Sequence, residues 1–165
     1  MKYIFVDLDN TLINAEYQVG GAPTGSKVIK LEDGKYWARL RPGALGLLYH
    51  LRTAGPTYML TAATRDYALA WNKEFDLNFK PEDIYSREDS NVGVLDIGDK
   101  FKEKGKVFLI DDKQLPFENT AIKVHFIKKL GDVKIIIVKP YYGHKNQEFT
   151  QDTIDGIYTQ INDAR

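Results

Sequence analysis

Asp7 and Asp9 stand two residues apart at the end of an apolar run, in Asp7-Leu8-Asp9-Asn10-Thr11. Two other apolar runs close in a similar way. Thr57-Tyr58-Met59-Leu60 is followed by Thr61-Ala62-Ala63-Thr64-Arg65, and Val107-Phe108-Leu109-Ile110 by Asp111-Asp112. If these runs are neighbouring parallel strands, their carboxyl ends bring four carboxylates and a hydroxyl to the sheet edge where open α/β folds bind ligands. Four carboxylates keep their charges at close range only where a cation compensates them. The chain has no cysteine and no histidine nearby in sequence, so the ligands are oxygens, which suit a hard ion. Mg²⁺, completed by substrate phosphate oxygens, is the usual solution. Phosphoryl transfer is the chemistry that needs such a set, because its spread negative charge requires a metal and positioned donors.

The elements that must hold these residues are legible from periodicity. Lys2 to Val6, Thr57 to Leu60, Val107 to Ile110 and Val133 to Val138 are short, continuously apolar runs, expected to be strands covered on both faces in a parallel sheet. Between them, Gly43 to Thr53 reads as a helix with Leu45, Leu48, Tyr49 and Leu51 on its apolar face and Pro42 suited to the first turn. Thr64 to Phe75 reads as another, with Tyr67, Ala68, Trp71 and Phe75 at near-helical spacing. Phe149 to Ile161 carries a weaker helical pattern, interrupted by Gly156. Alternating strands and helices mean an α/β fold. Asn14 to Leu40 breaks the alternation: a flexible loop with Gly20, Gly21, Pro23 and Gly25 is expected first, then a β-hairpin turning near Asp33-Gly34 and projecting as a flap.

With 165 residues the chain is expected to be one domain, residues 1–165, large enough to bury a core. Lys plus Arg equals Asp plus Glu at 23 each, so no broad field attracts nucleic acid or an anionic membrane, and an anionic ligand must be attracted locally. No apolar run is long enough to span a bilayer. The apolar start stops at Asp7 without a cleavage site, and the absence of cysteine fits a reducing compartment, so a cytoplasmic protein is expected. Lys100 to Lys106, broken by Glu103, reads as a solvated helix face. Gly20 to Lys27 superficially suggests a nucleotide-binding loop, but Gly25 is followed by Ser26-Lys27 where the pattern needs Gly-Lys-Ser/Thr.

Asp7-Leu8-Asp9-Asn10-Thr11-Leu12 resembles the DxDxT motif of the haloacid dehalogenase (HAD) superfamily, with Thr61 and Asp111-Asp112 where its second and fourth motifs fall. Within that superfamily the chain is most similar to the small CTD phosphatases (FCP/SCP-like, NLI-interacting-factor-like). Leu40-Arg41-Pro42-Gly43, Leu60 to Ala68 and Arg87-Glu88 carry that likeness. The resemblance implies a HAD-like Rossmannoid three-layer sandwich with a parallel sheet, a hairpin flap and no large cap domain. It implies that Asp7 is the nucleophile that becomes an aspartyl phosphate, and that Asp9 is the acid/base group. Thr61 and the backbone N–H groups of the Asp7 to Asn10 loop would hold the phosphate, with Leu8, Asn10, Thr11, Ala62 and Arg65 around the substrate. Mg²⁺ would be held by Asp7, the Asp9 carbonyl and Asp112, with Asp111 beside it. The third-motif lysine is the point of departure: about Leu95 occupies the nearest position, and Lys100 is the choice ahead of Lys102 and Lys73. The activity implied is a Mg²⁺-dependent phosphomonoesterase acting on a phosphorylated substrate that can be macromolecular, with phosphoserine or phosphothreonine protein favoured. The alternatives are a nucleic-acid 3′-phosphatase or nucleotidase, in which nucleic acid enters only as substrate, and a catalytically silent binding module that kept the fold.

Overall fold

A computed structural model describes residues 1–91, 105–113 and 133–164. Among these residues the main sheet has five parallel strands in the order β6-β5-β1-β7-β8: β1 (Lys2–Val6), β5 (Thr57–Leu60), β6 (Ile84–Tyr85), β7 (Lys106–Asp111) and β8 (Val133–Ile137). The four apolar runs form strands as expected. Ile84–Tyr85 is a fifth, and Lys106 opens β7 rather than continuing a helix. The other residues of the expected basic helix face, up to 104, lie outside the described residues.

Successive side chains of a strand point to opposite faces, and both faces here are apolar. Ile4, Val6, Met59, Phe108 and Ile110 belong to one buried cluster, together with residues of helices α1 (Ala44–Ala54), α2 (Arg65–Glu74) and α4 (Gln151–Asn162). Tyr3, Phe5, Tyr58, Leu60, Tyr85, Val107 and Leu109 form a second cluster on the opposite face. Helix α3 (Arg87–Asn91) follows β6. In α1 the buried positions are Ala44, Leu47, Leu48 and Leu51, whereas Leu45 and Tyr49 are exposed. The expected stripe was therefore rotated, because α1 turns its Ala44-Leu48-Leu51 side to the core. Gly43 precedes α1 with φ 86°, and a Cβ there would run into the Phe149 carbonyl. Only glycine fits that junction.

The segment after β1 corrects one expectation. Asn14 to Tyr17, expected as part of a flexible loop, lies in strand β2 (Ile13–Tyr17), which pairs antiparallel with β4 (Gly34–Leu40); β4 also pairs with β3 (Lys27–Leu31). The hairpin signal at Asp33-Gly34 was sound, and the flap is a three-stranded sheet ordered β2-β4-β3. Its inner side chains include Ile13, Ile29 and Ala38, all buried in the first cluster, so the flap is anchored to the core. Among the described residues there is no large cap, and no helix is long and apolar enough to cross a membrane.

Candidate active site

Strand register brings the acidic residues together. Val6 pairs with Ile110, so one step further along both chains sets Asp7 beside Asp111; Asp7 N–H donates to the Ile110 carbonyl at 2.9 Å. On the other side Val6 pairs with Met59, which carries Thr61 to the same edge. The expected convergence of strand ends is what the sheet produces.

Asp7 is 4% exposed and Asp111 fully buried, with Asp112 half-exposed. Asp7, Asp111 and Asp112 each offer an oxygen lying within 4.8 Å of those of the other two. The buried Thr11 hydroxyl donates to Asp7 Oδ2 at 3.0 Å and lies 3.4 Å from Asp112 Oδ1. Lys113 N–H donates to Asp111 Oδ1 at 3.0 Å. A buried all-carboxylate set suits a hard divalent cation, whose charge offsets the cost of gathering three anions. Asp9 is not a member of this carboxylate set.

The loop after β1 is wound tightly enough to aim both aspartates. The Leu8 carbonyl accepts from the N–H groups of Thr11, Leu12 and Ile13, and Asn10 takes φ 62°, a left-handed conformation that asparagine tolerates better than most residues. Leu8 is fully buried, so its side chain is core and only its backbone is left for the expected substrate contact. Asn10 is tied elsewhere: its N–H donates to the Ile13 carbonyl at 2.7 Å, its side-chain amide to the Tyr141 carbonyl at 3.0 Å, and its own carbonyl accepts from Tyr141 N–H. The N–H groups of Asp7 and Asn10, expected at the phosphate, are thus already engaged by the Ile110 and Ile13 carbonyls.

Thr61 is 1% exposed, and its Oγ1 accepts from Ala63 N–H at 3.1 Å. That bond orients the hydroxyl with its own hydrogen still to donate, as a phosphate-holding group requires. The Ala62 carbonyl accepts from Arg87 Nε. Arg65 is placed differently from the expectation: its guanidinium donates to the carbonyls of Ile84 at 3.0 Å and Pro81 at 2.7 Å, tying the start of α2 to β6. The structure does not bring it among the carboxylates. Lys100 and Lys102 lie outside the described residues. Lys73 is exposed near the end of α2, about 12 Å along the axis from Arg65 at the helix start.

Two residues near the site escaped assignment from sequence. Tyr67, half-buried on α2, donates its hydroxyl to Asp9 Oδ1 at 2.7 Å. Burial, reinforced by the Asp9 charge and the hydrogen bond itself, raises the phenol pKa, so Tyr67 stays a protonated donor at ordinary pH. Arg41, 3% exposed, donates to the carbonyls of Gln147 at 2.7 Å, Lys139 at 2.7 Å and Thr11 at 3.3 Å, and lies 3.9 Å above the Phe149 ring. Burial lowers the pKa of its guanidinium, with Tyr141 and Asp112 acting in the opposite sense. Its Arg-Pro sequence was visible, but carbonyl partners 30, 98 and 106 residues away were not.

The profile of the NLI interacting factor-like phosphatases matches residues 2–155. The chain belongs to that family. Among solved structures it is similar to the fission yeast RNA polymerase II CTD phosphatase Fcp1 bound to beryllium fluoride, with 18% identity and a TM-score of 0.58. A second match is a structure of Fcp1, described as an essential RNA polymerase II CTD phosphatase, at 19% identity and a TM-score of 0.59. Both alignments cover 97% of this chain, which spans about half the length of the two solved chains (49% and 48%). Comparison with curated protein sequences finds no significant relative. The likeness establishes a HAD-like fold, and the family is one of phosphatases.

Proposed function

We propose that this chain is a Mg²⁺-dependent phosphomonoesterase that works through an aspartyl phosphate on Asp7, with phosphoserine or phosphothreonine in a protein as its substrate. The observation that carries the reading is the division of the two aspartates. Asp7 is buried beside Asp111 and Asp112, while Asp9 lies outside that set and accepts a hydrogen bond from a phenol of α2. On this reading one carboxylate attacks and the other carries a proton.

The donor set fits the ion: Asp7, Asp112 and the Asp9 carbonyl are proposed to hold it, with Asp111 steadying the set from the buried side. Bound there, Mg²⁺ supplies charge neutralisation for the phosphoryl group. Asp7 Oδ attacks phosphorus; as the O–P bond forms, the P–O bond to the serine or threonine oxygen breaks and that oxygen takes the proton of the Asp9 carboxyl. The Asp9 carboxylate then accepts a proton from water, whose oxygen attacks the phosphoaspartate, releasing inorganic phosphate and restoring both side chains. Thr61 and the loop backbone orient the phosphate oxygens through both steps, and Lys100 is proposed to offset the charge of the phosphorylated Asp7. The phosphoprotein assignment follows the family and the CTD phosphatases whose fold it shares, and it agrees with the absence of a large cap among the described residues.

Phosphate release from an aryl phosphate, with Mg²⁺, with excess chelator and with Asp7→Asn, tests the chemistry. Mg²⁺-dependent release that is lost with chelator, returns on Mg²⁺ addition and is absent in the variant is expected. Release unaffected by chelator, or undiminished in Asp7→Asn, contradicts it. Competition between a phosphopeptide, a 3′-phosphorylated oligonucleotide and a mononucleotide tests the substrate class, and preference for either nucleotide substrate would move the assignment away from protein.

A further inference from the structure

We propose that Tyr67 is a positioning residue for the acid/base group Asp9 and that Tyr36 braces it from the flap; this deepens the phosphatase reading and rests on it. Asp9 lies in the loop after β1, and Tyr67 reaches it from α2, 58 residues later, with a 2.7 Å hydrogen bond to Oδ1. A carboxyl group on two rotatable bonds presents its proton in many directions, and proton transfer in the transition state is sensitive to that direction. Fixing one oxygen fixes the plane of the group and the aim of its proton.

The phenol is itself held. The Tyr67 ring meets Tyr36 of β4 edge-on, with centroids 5.4 Å apart and planes at 86°, and meets Trp71 of α2 at 6.1 Å and 86°. Tyr36 is fixed in turn by its hydroxyl, which donates to Asp33 Oδ2 at 2.7 Å in the hairpin turn, and by the Tyr17 ring at 5.3 Å and 89°. Such edge-to-face contacts prefer one geometry over sliding alternatives. A row of rings therefore runs from the flap to α2 and ends on the acid. Tyr67 does not take part in the bond changes; it acts through Asp9.

The role is read by leaving-group dependence. Dinitrophenyl phosphate departs without protonation, whereas phenyl phosphate needs the acid. Tyr67→Phe keeps the ring and its edge contacts and removes only the hydroxyl. In this variant kcat/KM for phenyl phosphate is expected to fall about tenfold to a hundredfold, through kcat, while that for dinitrophenyl phosphate stays within about threefold, since a positioned acid contributes roughly 10²–10⁴-fold when intact. In an Asp9→Asn background the same substitution is expected to cost nothing further, because the two residues act as one unit. Tyr36→Ala, which leaves the phenol but withdraws its brace, is expected to give the same selective loss at about threefold and supplies an independent variant if Tyr67→Phe does not fold. Equal losses on both substrates, no loss on either, or an undiminished loss in the Asp9→Asn background overturns the assignment in an active enzyme. A wild-type protein inactive on both substrates instead brings down the phosphatase reading, and the Tyr67 role with it.

Discussion

The two sides of the site are built in different ways. On the proposed ion side, Asp7, Asp111 and Asp112 come from two neighbouring strand ends and are joined by Thr11, four residues beyond Asp7. Parallel register alone sets these groups side by side. On the proposed acid side, Asp9 accepts a hydrogen bond from Tyr67 of a helix, which in turn meets the Tyr36 ring of the flap. The first side inherits its rigidity from the sheet, and the second is assembled from three separate elements. The difference implies that substitutions on the ion side remove activity outright, whereas those on the acid side change which substrates are handled well.

Asp7→Asn is expected to lower turnover about a thousandfold or more on every substrate, because no covalent route remains once the nucleophile is gone. Asp9→Asn is expected to be selective in kcat/KM, with a loss of about a hundredfold or more on phenyl phosphate and a much smaller one on dinitrophenyl phosphate, while kcat falls on both because hydrolysis of the shared intermediate lacks its base. Steady-state kinetics on the two esters checks both, and a uniform loss of kcat/KM in Asp9→Asn would erase the distinction between the sides.

The comparison also says why one side was easier to foresee. Continuous apolar runs that stop at Asp7, Thr61 and Asp111 are local signals, and β1, β5 and β7 follow them closely. Tyr67 was visible only as one apolar-face residue of a helix, since nothing in the sequence around it names a partner 58 residues earlier. Arg65 shows the reverse case: a basic residue four positions after Thr61 suggested a phosphate or substrate contact, and its guanidinium donates to the carbonyls of Pro81 and Ile84. Strand β2 hid because Ile-Asn-Ala-Glu-Tyr has little β-branched content and leads into a glycine-rich loop; its pairing with β4 supplies what local propensity lacks. β6 is two residues long and left no periodic trace.

Arg41 sharpens the comparison from the side of stability. Replacing it by Met removes donors from three carbonyls, and at about 1–3 kcal/mol for each group left unsatisfied the expected loss is at least ~3 kcal/mol in a denaturant titration. Because one of those carbonyls belongs to Thr11, Mg²⁺ should also raise the melting temperature of the variant less than that of the wild type. The smallest effect belongs to Arg65→Met. Losing two carbonyl contacts at a half-exposed position should lower stability by about 1 kcal/mol while KM changes less than about twofold. A large rise in KM would return Arg65 to the substrate.

Whether Asp7 carries the phosphoryl group while Asp9 handles protons is decided by trapping the intermediate. Asp9→Asn, incubated with Mg²⁺ and dinitrophenyl phosphate, quenched in acid and digested, should yield a phosphorylated peptide from the β1 loop with the adduct on Asp7, because the departing group needs no acid while water lacks its base. Turnover with no adduct at Asp7, or with the phosphoryl group on another residue, would contradict the account.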